Sequence, residues 1–420
     1  MRNMKAKYRL LTIVVTASCL LNLAGCSKKT VEESKNTNLQ VSIAEDESLH
    51  GQAADEENKV SAEESKQDVI SEDDSVEKIV EPGYEAVEEY LDGEWAVKSF
   101  QGVALIAKGD EIKFAKAYGY ADIDENISNK LTTRFAIASN TKQFTAAAIM
   151  QLVEAGKINI DNTIDKYFPK FKYGNQITVK NLLQMRSGLV DYLNETELFM
   201  QDKESKNILN DYKDNAYFDM YVSDERWTSD IILNNLYLSE LKFEPGQVYD
   251  YCNTNYYLLG LIIEQASGMS YEEYIDKNIF EPCGMTTASM QAEETDAKGH
   301  GSAESGKIVV NPKFIFSAGD IYSDVYDILR WKRMLHKGNI VSAESYKEMT
   351  TPADEEDGYG FGLIMRDGTI RHSGVIDGFN SYTEYDPETD ITIILLENID
   401  QTTAVLEAKY DGSMIRGLMN

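Results

Sequence analysis

Two groups of strand-like runs, far apart in the chain and separated by a long helical stretch, constrain the fold more than any other feature. The first group is Gly102-Val-Ala-Leu-Ile-Ala-Lys108 and Ile112-Lys-Phe-Ala-Lys-Ala-Tyr118, with the break Gly109-Asp110-Glu111 between them. Two such runs around a Gly-Asp break read as a hairpin. The second group lies near the C-terminus: Tyr359 to Met365, Thr369 to His372, Ser381 to Tyr385 and Ile391 to Leu396, with Asp386-Pro387-Glu388-Thr389-Asp390 turning the chain before the last run. Between Ser139 and about Met334 helical periodicity dominates, and a further helical pattern surrounds Tyr84 to Leu91. A strand, helix, strand order of this kind predicts one mixed sheet completed by both ends of a domain, with a helical lobe inserted between them.

The N-terminal part has a different character. Arg2, Lys5, Lys7 and Arg9 precede an apolar stretch from Leu10 to Leu23, too short to span a bilayer comfortably. The sequence Leu23-Ala24-Gly25-Cys26 resembles the lipobox of bacterial lipoproteins. That resemblance implies a signal peptide over 1–25, a lipidated Cys26 and a lipid-anchored, extracytoplasmic protein. From there to residue 81 the chain is acidic, rich in Glu, Ser, Asp and Lys, and without apolar periodicity. Such a segment buries too little to offset its ordering entropy and is expected to be a disordered tether over 26–81, reaching on the order of 40 Å. The folded domain is then expected over 82–420.

Charge and residue counts narrow the function. With 41 Lys and Arg against 71 Asp and Glu, the formal net charge is −30, which opposes binding to phosphate backbones. The four histidines (His50, His300, His336 and His372) form no ligand-like pair, and the cysteines lack zinc-type spacing, so neither a metal nor a cofactor is expected. Cys19 falls within the signal segment. Cys252 and Cys283 are expected to be free thiols.

Three short motifs carry chemistry. Ser139-Asn140-Thr141-Lys142 has the form S-x-x-K, which places a serine and an amine one helical turn apart. The same spacing recurs at Ser75 to Lys78 and Ser239 to Lys242, but Ser75 lies in the acidic tract and Ser239 precedes Phe243-Glu244-Pro245-Gly246. Only Ser139 opens a long apolar helix, from Phe144 to Ala155, with Gly156 placed to end it. A serine at a helix start is also an ordinary cap, so the motif gains meaning from its company. Tyr251-Cys252-Asn253 has the form Y-x-N and precedes a helix from about Thr254 to Ala266; shorter matches at Tyr173 and Tyr192 lack that setting. His372-Ser373-Gly374 has the form H-x-G on a strand, whereas His336-Lys337-Gly338 reads as a helix end.

In this order and context the motifs, with Leu182-Leu183, Ser187-Gly188-Leu189, Ser317-Ala318-Gly319, Ser323 and Asp327, resemble the serine β-lactamase and penicillin-binding-protein family. The likeness is to its class C β-lactamase, DD-peptidase and esterase branch and runs from about Gly102 to Leu396. It implies an α/β (α+β) fold with an antiparallel sheet flanked by helices and a mainly helical lobe. It also implies acyl transfer, with Ser139 as nucleophile and Lys142 and Tyr251 sharing general base and acid work. Asn253, His372, Ser373, Gly374 and Val375 would contact the substrate, Asn253 holding a substrate amide or steadying Lys142 and the Ser139 and Val375 N–H groups stabilising the oxyanion. A tyrosine acting as base at neutral pH needs its ordinary value near 10 lowered, and the neighbouring ammonium is expected to do this.

The family pattern often has K-T-G where this chain has His372, and a histidine offers only a marginal cation to a substrate carboxylate. The expected substrate is a small molecule or peptide, D-Ala-type and peptidoglycan-derived, ahead of a β-lactam. Two other readings stay open at this stage: a penicillin or wall-fragment sensor that does not turn over, and a display module whose tether carries the biology.

Overall fold

In the computed structural model the described residues are 78–97, 100–211, 227–300, 307–308, 312–376, 378–399 and 414–419. The chain divides after Ser65, and all of these residues lie in the second unit. The signal segment, Cys26 and the tether up to residue 77 lie outside the described residues.

The apolar run Gly102–Lys108 (β2) is buried along almost its whole length. It can be so because it is central. Glu111–Tyr118 (β3) pairs on one side of it and Ile391–Glu397 (β7) on the other, so the two ends of the domain meet where the separated strand groups predict. With Lys78–Val80 (β1), Ile364–Arg366 (β4), Thr369–Ile376 (β5) and Phe379–Asp386 (β6), the order across the sheet is β1-β3-β2-β7-β6-β5-β4. Every pairing is antiparallel, so the mixed sheet expected from strand pattern alone gives way to the antiparallel one that the family resemblance implies.

Period-2 alternation divides the sheet's side chains between two cores. Val103, Leu105, Ala115, Ile394 and Leu396 join the large core shared with the helical lobe. Ala104, Ile106, Phe114, Ile393 and Leu395 point the other way, onto Val87 and Leu91 of the helix Glu85–Ala96 (α1) and onto Ile415. Burying aliphatic side chains on both faces contributes about 1.5–3 kcal/mol each and explains why these strands read as nearly continuous apolar runs.

Two expectations need correction. Lys78–Val80, placed in the tether by composition, is an edge strand on β3: Ile79 packs on the large core, Val80 on the smaller one, and Lys78 bonds Glu88 of α1 at 2.7 Å. The expected strand Tyr359 to Met365 is a strand only from Ile364. Gly358 and Gly362, at φ +66° and +65°, bend the preceding residues into a loop, and a Cβ at Gly362 would lie 2.5 Å from the Lys142 carbonyl oxygen. That loop therefore packs directly on the helix carrying the S-x-x-K motif.

The helix itself, Thr141–Glu154 (α2), is buried nearly all round, with Phe144 stacked on Trp331 at 4.1 Å. It begins two residues after Ser139, which belongs to a tight 3-10 turn over Ala138–Asn140, and Gly156 follows its end at φ +67°. Asn253–Ser267 (α3) packs beside it and ends at Gly268 in the left-handed conformation. Val325–His336 (α4) lies under β2 and β7. Among the described residues no helix is long and apolar enough to cross a membrane.

Candidate active site

The 3-10 turn holds Ser139 at the seam between the sheet and the lobe. Ala138 before it sits at φ +48°, a strained conformation for a residue with a side chain. The turn rests on β5 so closely that a Cβ on Gly374 would come within 2.3 Å of the Ile137 carbonyl oxygen and 2.9 Å of the Ser139 nitrogen. No other residue type fits there, which gives the glycine of H-x-G a packing reason. Asn140, next to the serine, ties the turn to β6: its amide donates to Ser381 Oγ at 2.7 Å and its carbonyl accepts from Thr383 at 2.7 Å.

One turn along α2, Lys142 is fully buried. Its Nζ lies 3.0 Å from Ser139 Oγ, 2.9 Å from Asn253 Oδ1 and 2.7 Å from the Ala318 carbonyl oxygen. Burial pushes the amine down to about 7, with Asp191 and Cys252 opposing the shift. Ser139 itself remains partly exposed, so an approaching carbonyl can reach the hydroxyl while the amine stays out of water.

Tyr251 neighbours Ser139, and the Lys142 nitrogen stands 5.1 Å from its ring centroid. Its phenol, however, is pushed well above the usual 10, first by desolvation and further by Tyr249, Asp191 and Tyr256; the Ser139 hydroxyl works against this only in part. The expected lowering by a neighbouring ammonium is thus overturned. The lysine faces the ring and, with its own value pushed down to about 7, is only partly protonated near pH 7. Tyr251 is thereby held as the neutral phenol.

Asn253 connects Lys142 to Asp191: its Oδ1 accepts from Lys142, while its Nδ2 and backbone N–H donate to Asp191 Oδ2 at 3.0 and 3.1 Å. His372 is buried in the cleft wall. Its Nδ1 donates to the Ser373 carbonyl at 2.6 Å, and its Nε2 is 3.3 Å from the Tyr359 hydroxyl. Ser373 is half-buried and Val375 is exposed. Strand β4 pairs with β5 only as far as Arg371, so among the described strands nothing covers the far edge from His372 to Ile376. An extended substrate can lie along that edge, beside Ser139.

The structure thus gathers Ser139, Lys142, Tyr251, Asn253, His372 and Gly374 from three separated segments, with Ser373 and Val375 along the open edge. Asp191 and Tyr359 are additions that motif reading missed. The signal for Asp191 was an acid within the apolar run Leu189-Val190-Asp191-Tyr192, where a buried carboxylate needs a partner. Cys252 and Cys283 are both free and buried. Among the described residues no cluster of His, Cys, Asp or Glu could hold a metal ion.

Comparison with known proteins places this geometry among relatives. A family model described as Beta-lactamase matches residues 87–412. A Bacillus subtilis protein named as a penicillin-binding protein, PbpX, is 32% identical over 307 residues, 71% of each chain. The flp protein of Staphylococcus aureus is 29% identical over 318 residues, covering 70% of this chain but only 59% of its own. The crystal structure of a penicillin binding protein from Bacillus halodurans superposes with a TM-score of 0.65 at 25% identity, over 81% of this chain and 100% of the other. A D-amino acid amidase from Ochrobactrum anthropi SV3, solved with L-phenylalanine, gives 0.67 at 25% identity, over 80% and 98%.

Proposed function

The chain belongs to the β-lactamase family, and on that premise we propose that it is a serine hydrolase working through an acyl-enzyme on amides or esters of D-amino acids, D-Ala-type peptides included. The observation that carries the reading is the contact of Lys142 Nζ with Ser139 Oγ at 3.0 Å, by an amine that burial makes available as a base near pH 7. Neutral Lys142 takes the Ser139 proton as Oγ bonds to the substrate carbonyl carbon. The oxyanion that forms is held by the N–H groups of Ser139 and Val375. As the carbon–heteroatom bond breaks, the proton returns through Lys142 and Tyr251 to the leaving group, and water then releases the acyl group by the same route.

Two observations favour D-amino acid amides and esters over β-lactams. The family relatives include a structure described as a D-amino acid amidase. In addition, the Nδ1 of His372 is engaged by the adjoining carbonyl and its Nε2 faces Tyr359, so the residue standing where relatives carry lysine does not offer a strong cation to a carboxylate. The penicillin-binding names among the relatives support a second reading, slow acylation by penicillin without turnover.

The full-length protein should hydrolyse D-phenylalanine amide or an activated D-alanyl ester faster than benzylpenicillin, followed by product release. Rapid penicillin hydrolysis with no amidase or esterase turnover would sink this substrate assignment, and a long-lived penicillin adduct alone would favour the second reading. Tyr251→Phe keeps the ring but removes the proton-passing hydroxyl, so acylation should slow by about 10²-fold without vanishing. An unchanged acylation rate would remove Tyr251 from the relay.

We also read Cys26 as lipidated, which would hold the domain on the outer side of a membrane; the sequence around Leu23 to Cys26 supports this. Cys26→Ser should move the protein from the membrane pellet to the soluble fraction. Retention of the variant in the pellet would contradict the reading.

A further inference from the structure

Behind the serine and the lysine lies a third layer. Asp191 is buried and sits at the end of the Ser187-Gly188-Leu189-Val190 segment. Its Oδ1 caps the loop that follows, accepting the backbone N–H of Leu193 at 2.9 Å, and its Oδ2 accepts the Asn194 amide at 2.8 Å. The same Oδ2 takes both the side-chain and backbone N–H of Asn253. Asn253 thereby has its amide orientation fixed: with Nδ2 engaged by the carboxylate, Oδ1 must face Lys142. A rotated Asn253 would turn an N–H on the amine and leave Asp191 with an unfavourable oxygen contact.

We infer that Asp191 is a positioning residue for acylation, which through Asn253 aims Lys142 at Ser139 and supplies the buried countercharge for the ammonium formed when Lys142 takes the serine proton. This rests on the acyl-serine reading above. No covalent step is added: the Ser139 proton moves to Lys142, and the ammonium so formed faces the Asp191 carboxylate across a neutral amide.

The groups facing Lys142 leave little else to play this part. Ser139 and Ala318 offer neutral oxygens, Tyr251 and Tyr256 present ring faces at 5.1 and 5.8 Å, and Cys252 is pushed upward by burial and stays a thiol. On the far side of Asp191, its backbone N–H donates to Glu195 at 3.0 Å, but Glu195 is itself paired with Lys242 at 2.8 Å. Burial pushes the amine down and the Asp191 charge opposes that shift, so removing the charge should let the amine titrate lower.

The test is the rate of fluorophosphonate labelling of Ser139 in the full-length protein from pH 5 to 9, for wild type and Asp191→Asn, with circular dichroism as the folding control. In wild type the rate should rise as Lys142 loses its proton through about 7. In Asp191→Asn the lost negative charge makes the amine harder to protonate, so the rise should move to lower pH by about one unit or more. The plateau should fall by about tenfold or more, because the ammonium is formed without its countercharge. A lower plateau with the rise unmoved would mean a merely structural role and overturn the inference. If Asp191→Asn does not fold, Asn253→Ala decides instead: it removes the bridge that aims Lys142 while keeping the charge and the loop contacts of Asp191, so the plateau should fall by about tenfold or more. An unchanged plateau there overturns the inference. Wild type left unlabelled at Ser139 would overturn the acyl-serine reading and this inference with it, whereas labelled wild type with Asp191→Asn unshifted, or with Asn253→Ala unslowed, overturns the inference alone.

Discussion

Replacing Ser139 by alanine is expected to remove every covalent adduct with acylating substrates and to lower turnover by at least about 10³-fold, while leaving the fold in place. Among the described residues Ser139 is the hydroxyl that lies against the buried amine, whereas Lys142 itself is fully buried and Tyr251 is held far above the pH at which it would ionise. The structural cost should be small. Ser139 is partly exposed, and losing its Oγ leaves Lys142 with Asn253 Oδ1 and the Ala318 carbonyl as acceptors. One neutral hydrogen bond at a partly wet position accounts for about 1 kcal/mol. Thermal unfolding should therefore barely move while activity vanishes, and turnover at the wild-type rate in the variant would exclude Ser139 as the acylated group.

Lys142→Met should be nearly as damaging, with a loss of about 10³-fold or more in acylation rate. Methionine fills the channel along α2 with a similar unbranched stem, so packing changes little. What disappears is the amine 3.0 Å from the serine oxygen. The pH profile separates this from a general disturbance. In wild type, protonated Lys142 cannot accept the serine proton, so the rate should be low below about 7, rise as pH passes that value, and level off above it. In the methionine variant the residual rate should show no such rise. A variant that keeps the wild-type rise would place the titrating base elsewhere, with Tyr251 excluded by the upward direction of its own shift.

Much of the fold is legible in the residues themselves, because two of its determinants are local. Nearly continuous apolar runs such as Gly102–Lys108 and Ile391–Glu397 can pair only if the domain's ends meet, and they do. The helix after Ser139 is fixed by an apolar run and a glycine at φ +67°. The S-x-x-K, Y-x-N and H-x-G residues were found because each sits beside a helix start or a strand. The misses have tertiary causes. Tyr359 to Leu363 alternates like a strand, yet Gly358 and Gly362 bend it onto α2, a contact that no local pattern encodes. Lys78–Val80 looks like more tether until β3 offers it an edge. The behaviour of Tyr251 was misjudged because the sequence shows an amine nearby without showing that it faces the ring and that burial outweighs it. Asp191 is separated from Asn253 by 62 residues, and its role becomes visible only when Oδ2 is seen to accept from it twice.

The most direct test of the central claim is intact-mass measurement of the full-length protein mixed with an activated D-alanyl ester and quenched within seconds, followed by peptide mapping of any adduct. The account predicts a single acyl group, on the peptide containing Ser139, that disappears as product accumulates. An adduct on another residue, or turnover of the ester with no acylated protein at any time, would contradict it.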